Sequence, residues 1–71
     1  NKKKKNKFFG PTLAGNYLWI TGTDGYLRKF DPSSGKQILE NRLGVEILYR
    51  PYAVQNKLYV VTKTGKIIAF N

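Results

Sequence analysis

The sequence contains no cysteine and no histidine in its 71 residues. These absences exclude disulfide bonds, zinc sites built from Cys or His, and any catalytic centre that depends on either side chain within this stretch. Small chains normally need such cross-links or a partner surface, because a chain of this length hides only roughly 60% of its extended surface on folding. We therefore expect these residues to be a piece of something larger, supported by neighbours outside them.

Long apolar runs are also missing. No uninterrupted apolar stretch approaches the ~20 residues that a transmembrane helix needs. A basic start followed by Phe8 and Phe9 has the order of a secretory signal, but Gly10 and Pro11 end the apolar run far short of the ~7–15 residues of a signal's hydrophobic region. The sequence therefore predicts no membrane-spanning segment in this stretch and provides no targeting signal.

Acidic residues are scarce, and Asp24, Asp31, Glu40 and Glu46 are the whole set. The two aspartates lie in predicted turns, where such side chains bond nearby backbone N–H groups. No pair of acids has a spacing that indicates a shared metal ion or a proton-transfer couple, and the glycines form neither GxGxxG nor a P-loop. We therefore predict no catalytic residue, no cofactor and no metal site, and a protein that is not an enzyme.

Positive charge is abundant but concentrated at one end. Thirteen Lys and Arg residues against four acids give a net charge of +9. Five of the thirteen are Lys2, Lys3, Lys4, Lys5 and Lys7. Blocks of like charge repel and stay solvated, so residues 1–7 are predicted to form a basic flexible tail or loop. The alternative is an arm that binds the phosphates of a nucleic acid.

The strongest signal in the sequence is a repeat at an offset of 40 residues. The run NYLWITGTDGYLRKFDPSSG, residues 16–35, returns in shorter form as NKLYVVTKTGKIIAFN, residues 56–71. The matched positions are Pro11 with Pro51, Leu18 with Leu58, Trp19 with Tyr59, Gly25 with Gly65 and Phe30 with Phe70, and the turn residues Asp24, Asp31 and Gly35 complete the first copy. A repeat of about 40 residues made of short strands is typical of a β-propeller.

Strand and turn signals predict an all-β chain of seven strands, grouped four and three. β-Branched and aromatic residues dominate the periodic segments, and Gly or Pro recurs between them, which disfavours helix. Asp24 and Gly25 predict a hairpin with a type I′ turn. Residues 8–44 form one predicted propeller blade and 45–71 a final incomplete blade, whose inner strand lies in 45–54 and whose open edge a strand from elsewhere covers. We interpret the pair as part of an eight-bladed ring.

The two phrases LWITGTDGYLRKFDPSSGK and LYVVTKTGKIIAFN resemble the pyrroloquinoline-quinone-like propeller repeat family. Within that family they are most similar to the C-terminal blades of the BamB-type lipoproteins of the outer-membrane β-barrel assembly machinery, over residues 8–71. The resemblance implies a non-catalytic protein-interaction scaffold on the periplasmic side of the bacterial outer membrane. Such a scaffold assists the assembly and insertion of β-barrel proteins, and its partners are proteins of that machinery and the rest of its own propeller.

Two other functions stay open at the level of sequence: a fragment of a quinone-dependent dehydrogenase and a Lys-rich nucleic-acid-binding module. The predicted outer strand, residues 36–43, lacks the Trp that often ends such strands in quinoproteins.

The candidate residues for contact with a protein partner are Tyr49, Arg50 and Tyr52, which flank Pro51 on the predicted inner strand of the second blade.

Overall fold

The computed structural model describes residues 5–70, which form seven β-strands and contain no helix. The strands are β1 (Phe8–Ala14), β2 (Tyr17–Gly22), β3 (Tyr26–Phe30), β4 (Gln37–Arg42), β5 (Tyr52–Val54), β6 (Lys57–Val61) and β7 (Ile67–Phe70). Strands β1 to β4 form a four-stranded antiparallel sheet in chain order, here called the first sheet, and β5 to β7 form a three-stranded second sheet. The prediction of an all-β chain with strands grouped four and three is confirmed. This part of the chain offers no helical segment able to cross a membrane.

The first hairpin of each sheet closes with the same two-residue turn. Gly15 and Asn16 have φ angles of 58° and 69°, and Gln55 and Asn56 have φ angles of 51° and 65°. Positive φ at both central residues defines a type I′ turn, whose twist matches that of the flanking strands. Each copy of the repeat therefore begins at a type I′ hairpin turn.

The hairpin at Asp24 and Gly25 has a different turn from the one predicted. The N–H of Gly25 donates to the carbonyl of Gly22 at 3.0 Å, which encloses Thr23 and Asp24, neither of which has a positive φ, whereas Gly25 has a φ of 82°. This is the three-residue loop in which an ordinary turn is followed by a left-handed glycine. The prediction of a type I′ turn was wrong here because Asp24 Oδ1 accepts a bond from the N–H of Tyr26, an arrangement that favours an ordinary Asx turn.

The strand registers repeat at the same offset of 40 residues as the sequence. The β2–β3 partners are Leu18 with Phe30, Trp19 with Lys29, Ile20 with Arg28 and Thr21 with Leu27, and the β6–β7 partners are Leu58 with Phe70, Tyr59 with Ala69, Val60 with Ile68 and Val61 with Ile67. The three-residue loop recurs as well, since the N–H of Gly65 donates to the carbonyl of Thr62 at 2.9 Å. The two sheets therefore share one backbone plan.

Each sheet has two different faces, because successive side chains of a strand point to opposite sides. The aromatic face carries Tyr17, Trp19, Thr21 and Leu27 in the first sheet and Lys57, Tyr59, Val61 and Ile67 in the second. The leucine face carries Leu18, Ile20 and Phe30 in the first sheet and Leu58, Val60 and Phe70 in the second.

The core lies where the aromatic face of the first sheet packs on the leucine face of the second. Trp19 is 7% exposed and Leu27 0%, while Leu58 and Val60 on the other sheet are 2% and 0% exposed. Trp19 Nε1 donates to the carbonyl of Ala14 at 3.0 Å, so the buried indole has a partner for its only donor. The two sheets thus pack through unlike faces of the shared plan, and one face of each sheet points outward.

The inner strand predicted within residues 45–54 is shorter than expected, because only β5 at its end is regular. Pro51 has no N–H to give to a ladder, and the carbonyl groups around it accept bonds from the first sheet instead. Thr21 Oγ1 donates to the carbonyl of Tyr49 at 2.7 Å, and Thr12 Oγ1 donates to that of Pro51 at 2.6 Å. The prediction that Tyr49 lies in an inner strand was wrong, because the carbonyls of Tyr49 and Pro51 bond to threonines of the first sheet instead of to a neighbouring strand of the second.

Candidate interaction site

Residues 48–51, here called the joining segment, connect the sheets and carry exposed side chains. Tyr49 is 54% exposed. Arg50 is also exposed, and its Nη2 donates to the carbonyl of Pro11 on β1 at 2.9 Å. Pro51 beside them is fully buried. The first sheet therefore fixes the backbone of the joining segment, while the Tyr49 ring faces solvent.

The three residues predicted as a contact patch do not all lie on one surface. Tyr52 belongs to β5, and its ring stacks on that of Tyr59, with the centroids 5.4 Å apart and the planes inclined by 24°. This stack lies on the aromatic face of the second sheet, which points away from the first. Tyr49 and Arg50 share the joining segment, whereas Tyr52 belongs to a separate, outward-pointing surface.

The residues that define the repeat occupy corresponding places in the two sheets but differ in burial. Leu58 is buried whereas Leu18 is half-buried, and Trp19 is buried whereas Tyr59 is half-buried. Phe30 and Phe70 end β3 and β7, Gly25 and Gly65 close equivalent turns, and Pro11 is exposed on β1 whereas Pro51 is buried. The differences between the leucines and between Trp19 and Tyr59 follow from one cause, because only one side of each sheet is covered by the other. Pro51 lies outside the strands, in the joining segment.

The turn between β3 and β4 explains Asp31, Gly35 and the two serines between them. Asp31 Oδ1 accepts bonds from the N–H of Ser33 at 3.1 Å and from its hydroxyl at 3.0 Å, and Oδ2 accepts one from Ser34 Oγ at 3.1 Å. The N–H of Gly35, at a φ of 75°, donates to the carbonyl of Asp31 at 2.8 Å. Bonds from Ser33 to the carboxylate lower the pKa of Asp31. The serine hydroxyls are thus donors within a turn.

Arg28 holds two of the four acids on the leucine face of the first sheet. Its Nη2 donates to Asp24 Oδ2 at 2.8 Å and its Nε donates to Glu40 Oε2 at 3.0 Å. The guanidinium carbon lies 5.1 Å from the ring centroid of Tyr26 and 5.5 Å from that of Phe8. The hydrogen bond from Arg28 lowers the pKa of Asp24, against an opposing effect of burial.

A cleft of about 130 Å³ opens between the sheets beside their two type I′ turns. It is lined by Ala14, Gly15, Tyr17, Trp19, Lys29, Asn56 and Leu58. Lys29 Nζ lies 4.1 Å from the ring centroid of Tyr17 and 5.3 Å from that of Trp19, where the electron-rich ring faces attract its charge. The sequence shows that Lys29 lies in a predicted strand with aromatic residues, but only the folded structure shows which rings lie beside its ammonium group.

The two outward-pointing faces carry exposed apolar side chains. Ile67 is 60% exposed and Val54 49% on the aromatic face of the second sheet, and Leu13 is 63% exposed beside the leucine face of the first. In the sequence, the apolar positions on both faces of each copy indicate such exposed faces, because two sheets that are apolar on both sides cannot cover all four faces.

The basic run is described only in part. Lys2, Lys3 and Lys4 of the predicted tail lie outside the described residues, as does Asn71, while Lys5 and Lys7 are exposed. The backbone of Lys7 is paired with the β2–β3 turn, since its carbonyl accepts from the N–H of Thr23 at 2.9 Å and its N–H donates to the hydroxyl of that residue at 2.9 Å. The C-terminal end of the basic run is therefore bonded to the first sheet.

Residues 5–70 contain no group of three or more His, Cys, Asp or Glu side chains that could hold a metal ion. No family model, curated protein or solved structure matches the chain. The candidate site is therefore defined by the joining segment, the cleft and the two outward-pointing faces of this chain itself.

Proposed function

We propose that the two sheets are successive blades of a β-propeller and that the chain is a non-catalytic protein-interaction scaffold. The observation that carries the proposal is the packing of unlike faces between two sheets of the same register. Sheets related in this way stack repeatedly about an axis, with each new sheet covering the face that the previous one left open. A rigid stack of this kind holds loops such as the joining segment in place for a partner.

The joining segment supplies the contact. Tyr and Arg are among the residue types most enriched at the centres of protein interfaces. Tyr49 and Arg50 are adjacent in a segment whose backbone carbonyls accept bonds from the first sheet. By the resemblance to BamB-type blades, we propose that the partners are proteins of the outer-membrane assembly machinery and their β-barrel clients. The corresponding location is the periplasmic side of the bacterial outer membrane.

Fluorescence anisotropy with labelled peptides tests this proposal. The probe is a synthetic peptide of about 10 residues that alternates apolar and polar side chains, as strands of membrane barrels do. We expect saturable binding that Tyr49→Ala weakens by about tenfold or more. The matched control is Tyr52→Ala, which removes an exposed tyrosine from the other surface and leaves this binding unchanged. Equal binding by parent and Tyr49→Ala chains contradicts the proposed contact.

The nucleic-acid alternative is supported by the net charge of +9, and the same assay separates it. Binding that depends on phosphate contacts falls steeply with salt. A labelled single-stranded DNA should therefore bind weakly at physiological salt if the scaffold proposal holds. Tight, steeply salt-dependent DNA binding that is lost on deleting residues 1–7, together with no peptide binding, replaces the scaffold with the nucleic-acid module.

A further inference from the structure

The chain leaves two unlike apolar surfaces uncovered, one at each side of the two-sheet stack. One is the aromatic face of the second sheet, where Ile67 is 60% exposed and the Tyr52 and Tyr59 rings stack. The other is the leucine face of the first sheet, whose Leu18 and Ile20 are half-buried by their own neighbours. Contiguous exposed apolar side chains of this kind are candidate contacts with another molecule.

The interface inside the chain shows what each of these surfaces accepts. Leu27 and Ile67 hold the same place in the repeat, yet Leu27 is 0% exposed under the second sheet and Ile67 is 60% exposed. On the opposite surface, Val60 is 0% exposed under the first sheet, whereas its counterpart Ile20 is half-buried. Each uncovered face thus has a counterpart of the same kind that is covered inside the chain. An aromatic face is covered there by a leucine face, and a leucine face by an aromatic face.

We propose that a second copy of this chain docks its leucine face on the aromatic face of the first copy, in the way that the two sheets of one chain already pack. The contact continues an interface that exists within the chain, and it joins unlike surfaces of identical molecules, so it is heterologous. The proposal uses the stacking on which the proposed function also rests, but it concerns a different surface from the joining segment.

The charged residues on these surfaces are compatible with stacking. Arg28 stands where the second sheet has Ile68, and it is engaged by both Asp24 and Glu40. Its guanidinium also lies against aromatic rings, so it is already shielded from water on several sides. Lys29 shows that the internal interface accepts a cation, because its ammonium group lies over the rings of the covered aromatic face.

The size of the assembly follows from closure. A heterologous contact forms a ring where its rotation closes, and an open filament where it does not. Propellers close with 4–8 sheets, so two to four copies of this two-sheet chain complete a ring. The mass of one copy is 8.1 kDa, and the ring is expected at twice to four times that mass, about 16 to 32 kDa.

Light scattering coupled to size exclusion measures this mass on the full 71-residue chain. The concentration runs from about 10 µM to about 1 mM, in about 0.5 M NaCl to screen the repulsion between copies of net charge +9. We expect the mass to rise with concentration from 8.1 kDa to about 16 kDa or more. A mass that stays at 8.1 kDa at the highest concentration overturns the proposal.

Two variants test the surfaces one at a time. Ile67→Glu places a charge on the aromatic face of the second sheet, and Ile20→Glu places one on the leucine face of the first, opposite Arg28 on the neighbouring strand. Burying an uncompensated charge weakens the contact, and a carboxylate at position 20 is uncompensated because Arg28 is already engaged by Asp24 and Glu40. We therefore expect the apparent Kd to rise at least ~100-fold for each variant. Ser34→Glu, in the exposed β3–β4 turn, changes the net charge equally and should associate as the parent does.

A mixture of the two variants decides whether unlike surfaces meet. Ile67→Glu retains an intact leucine face and Ile20→Glu an intact aromatic face, so an equimolar mixture should form a dimer of about 16 kDa and stop there. If like surfaces met instead, one of the variants would associate alone as well as the parent, and that result overturns the proposal. Should Ile20→Glu lower the melting temperature, Leu13→Glu takes its place, since Leu13 is 63% exposed.

The same variants separate this inference from the proposed function. Peptide binding through Tyr49 should be unchanged in Ile67→Glu, because Tyr49 lies on the joining segment and Ile67 on β7. If the parent chain stays monomeric but still binds the peptide, only the proposal of docking between copies is contradicted. If the chain associates but binds no peptide, only the proposed contact at the joining segment is contradicted.

Discussion

Replacing Leu27 and Ile67 by alanine in turn tests which sides of the two sheets form the core. The two residues hold the same place in the repeat, opposite Thr21 and Val61 respectively. Leu27 is 0% exposed and Ile67 is 60% exposed. Strand position and cross-strand register are thus matched, and the main difference between the two substitutions is coverage by the other sheet.

The expected costs differ by about 2 kcal/mol. A fully buried Leu replaced by Ala loses about 2–5 kcal/mol from transfer and cavity terms together, and we expect about 3 kcal/mol for Leu27. Fully burying an Ile side chain is worth about 1.5–3 kcal/mol, so a residue 60% exposed loses about 1 kcal/mol. A chain of 71 residues has about 4–11 kcal/mol of stability in total, which makes the first loss a large fraction of it.

Urea unfolding followed by the fluorescence of Trp19 measures both costs. The protein concentration should be about 5 µM, so that association between copies does not add to the stability. We expect the midpoint to fall strongly for Leu27→Ala and slightly for Ile67→Ala, with equal slopes if both variants keep the same folded state. Equal losses in the two variants, or a larger loss for Ile67→Ala, would refute the assignment of the core to the first sheet's aromatic face.

A second matched pair excludes the trivial explanation that the first copy is simply the more sensitive one. Val60 is 0% exposed and its counterpart Ile20 is half-buried, so here the residue of the second copy is covered. Val60→Ala should therefore cost more than Ile20→Ala. The order of sensitivity between the copies must reverse from one pair to the other if the sheets pack through unlike faces.

Three further predictions concern single bonds and backbone angles. Thr21→Val removes the hydroxyl donor 2.7 Å from a carbonyl of the joining segment, so the free energy of unfolding in urea should fall by about 1–2 kcal/mol; no change would mean that the bond does not hold the sheets together. Gln55→Gly should raise the free energy of unfolding by about 0.5–1 kcal/mol, because a φ of 51° is strained for a residue with a side chain; a loss contradicts this. In acid, the pKa of Asp24 is held below its usual value by the bond from Arg28, so its contribution to stability is complete above about pH 4 and is lost as the pH falls through the folded-state pKa. Urea titrations across this range should show a smaller acid loss for Asp24→Asn than for the parent chain, and equal losses would contradict the role of that carboxylate.

Strands and turns were predictable because their determinants are local. Glycine and proline separate the strands, and the offset of 40 residues fixed the grouping into four and three. The turn type at Asp24 was not predictable from the dipeptide Asp-Gly, because the side chain of Asp24 bonds to Tyr26 and Arg28. The sequence places these groups near one another only once the hairpin exists.

The site was less predictable than the strands because its residues act through contacts between the sheets. Tyr49 and Arg50 were chosen from residue type alone, and nothing local indicates that threonines of the first sheet bond the backbone of this segment. Tyr52 has the same residue type as Tyr49 but lies on another surface, since β5 turns it toward Tyr59. The separation of the two tyrosines depends on where the regular strand begins after Pro51.

The shared plan of the two sheets also limits what can cover them. If every sheet carries one aromatic and one leucine face, and if unlike faces pack, then a stack of any length ends with one uncovered face of each kind. Adding sheets lengthens the stack but removes neither end, so the exposure of residues such as Ile67 and Ile20 is a property of an open stack and not of having only two sheets. Only ring closure or a different partner covers both faces. Hydrogen exchange can distinguish a closed ring from an open stack. In a closed ring the amides of β6 and β7 should be protected as strongly as those of β2 and β3, whereas in an open stack the amides of the second sheet should exchange faster.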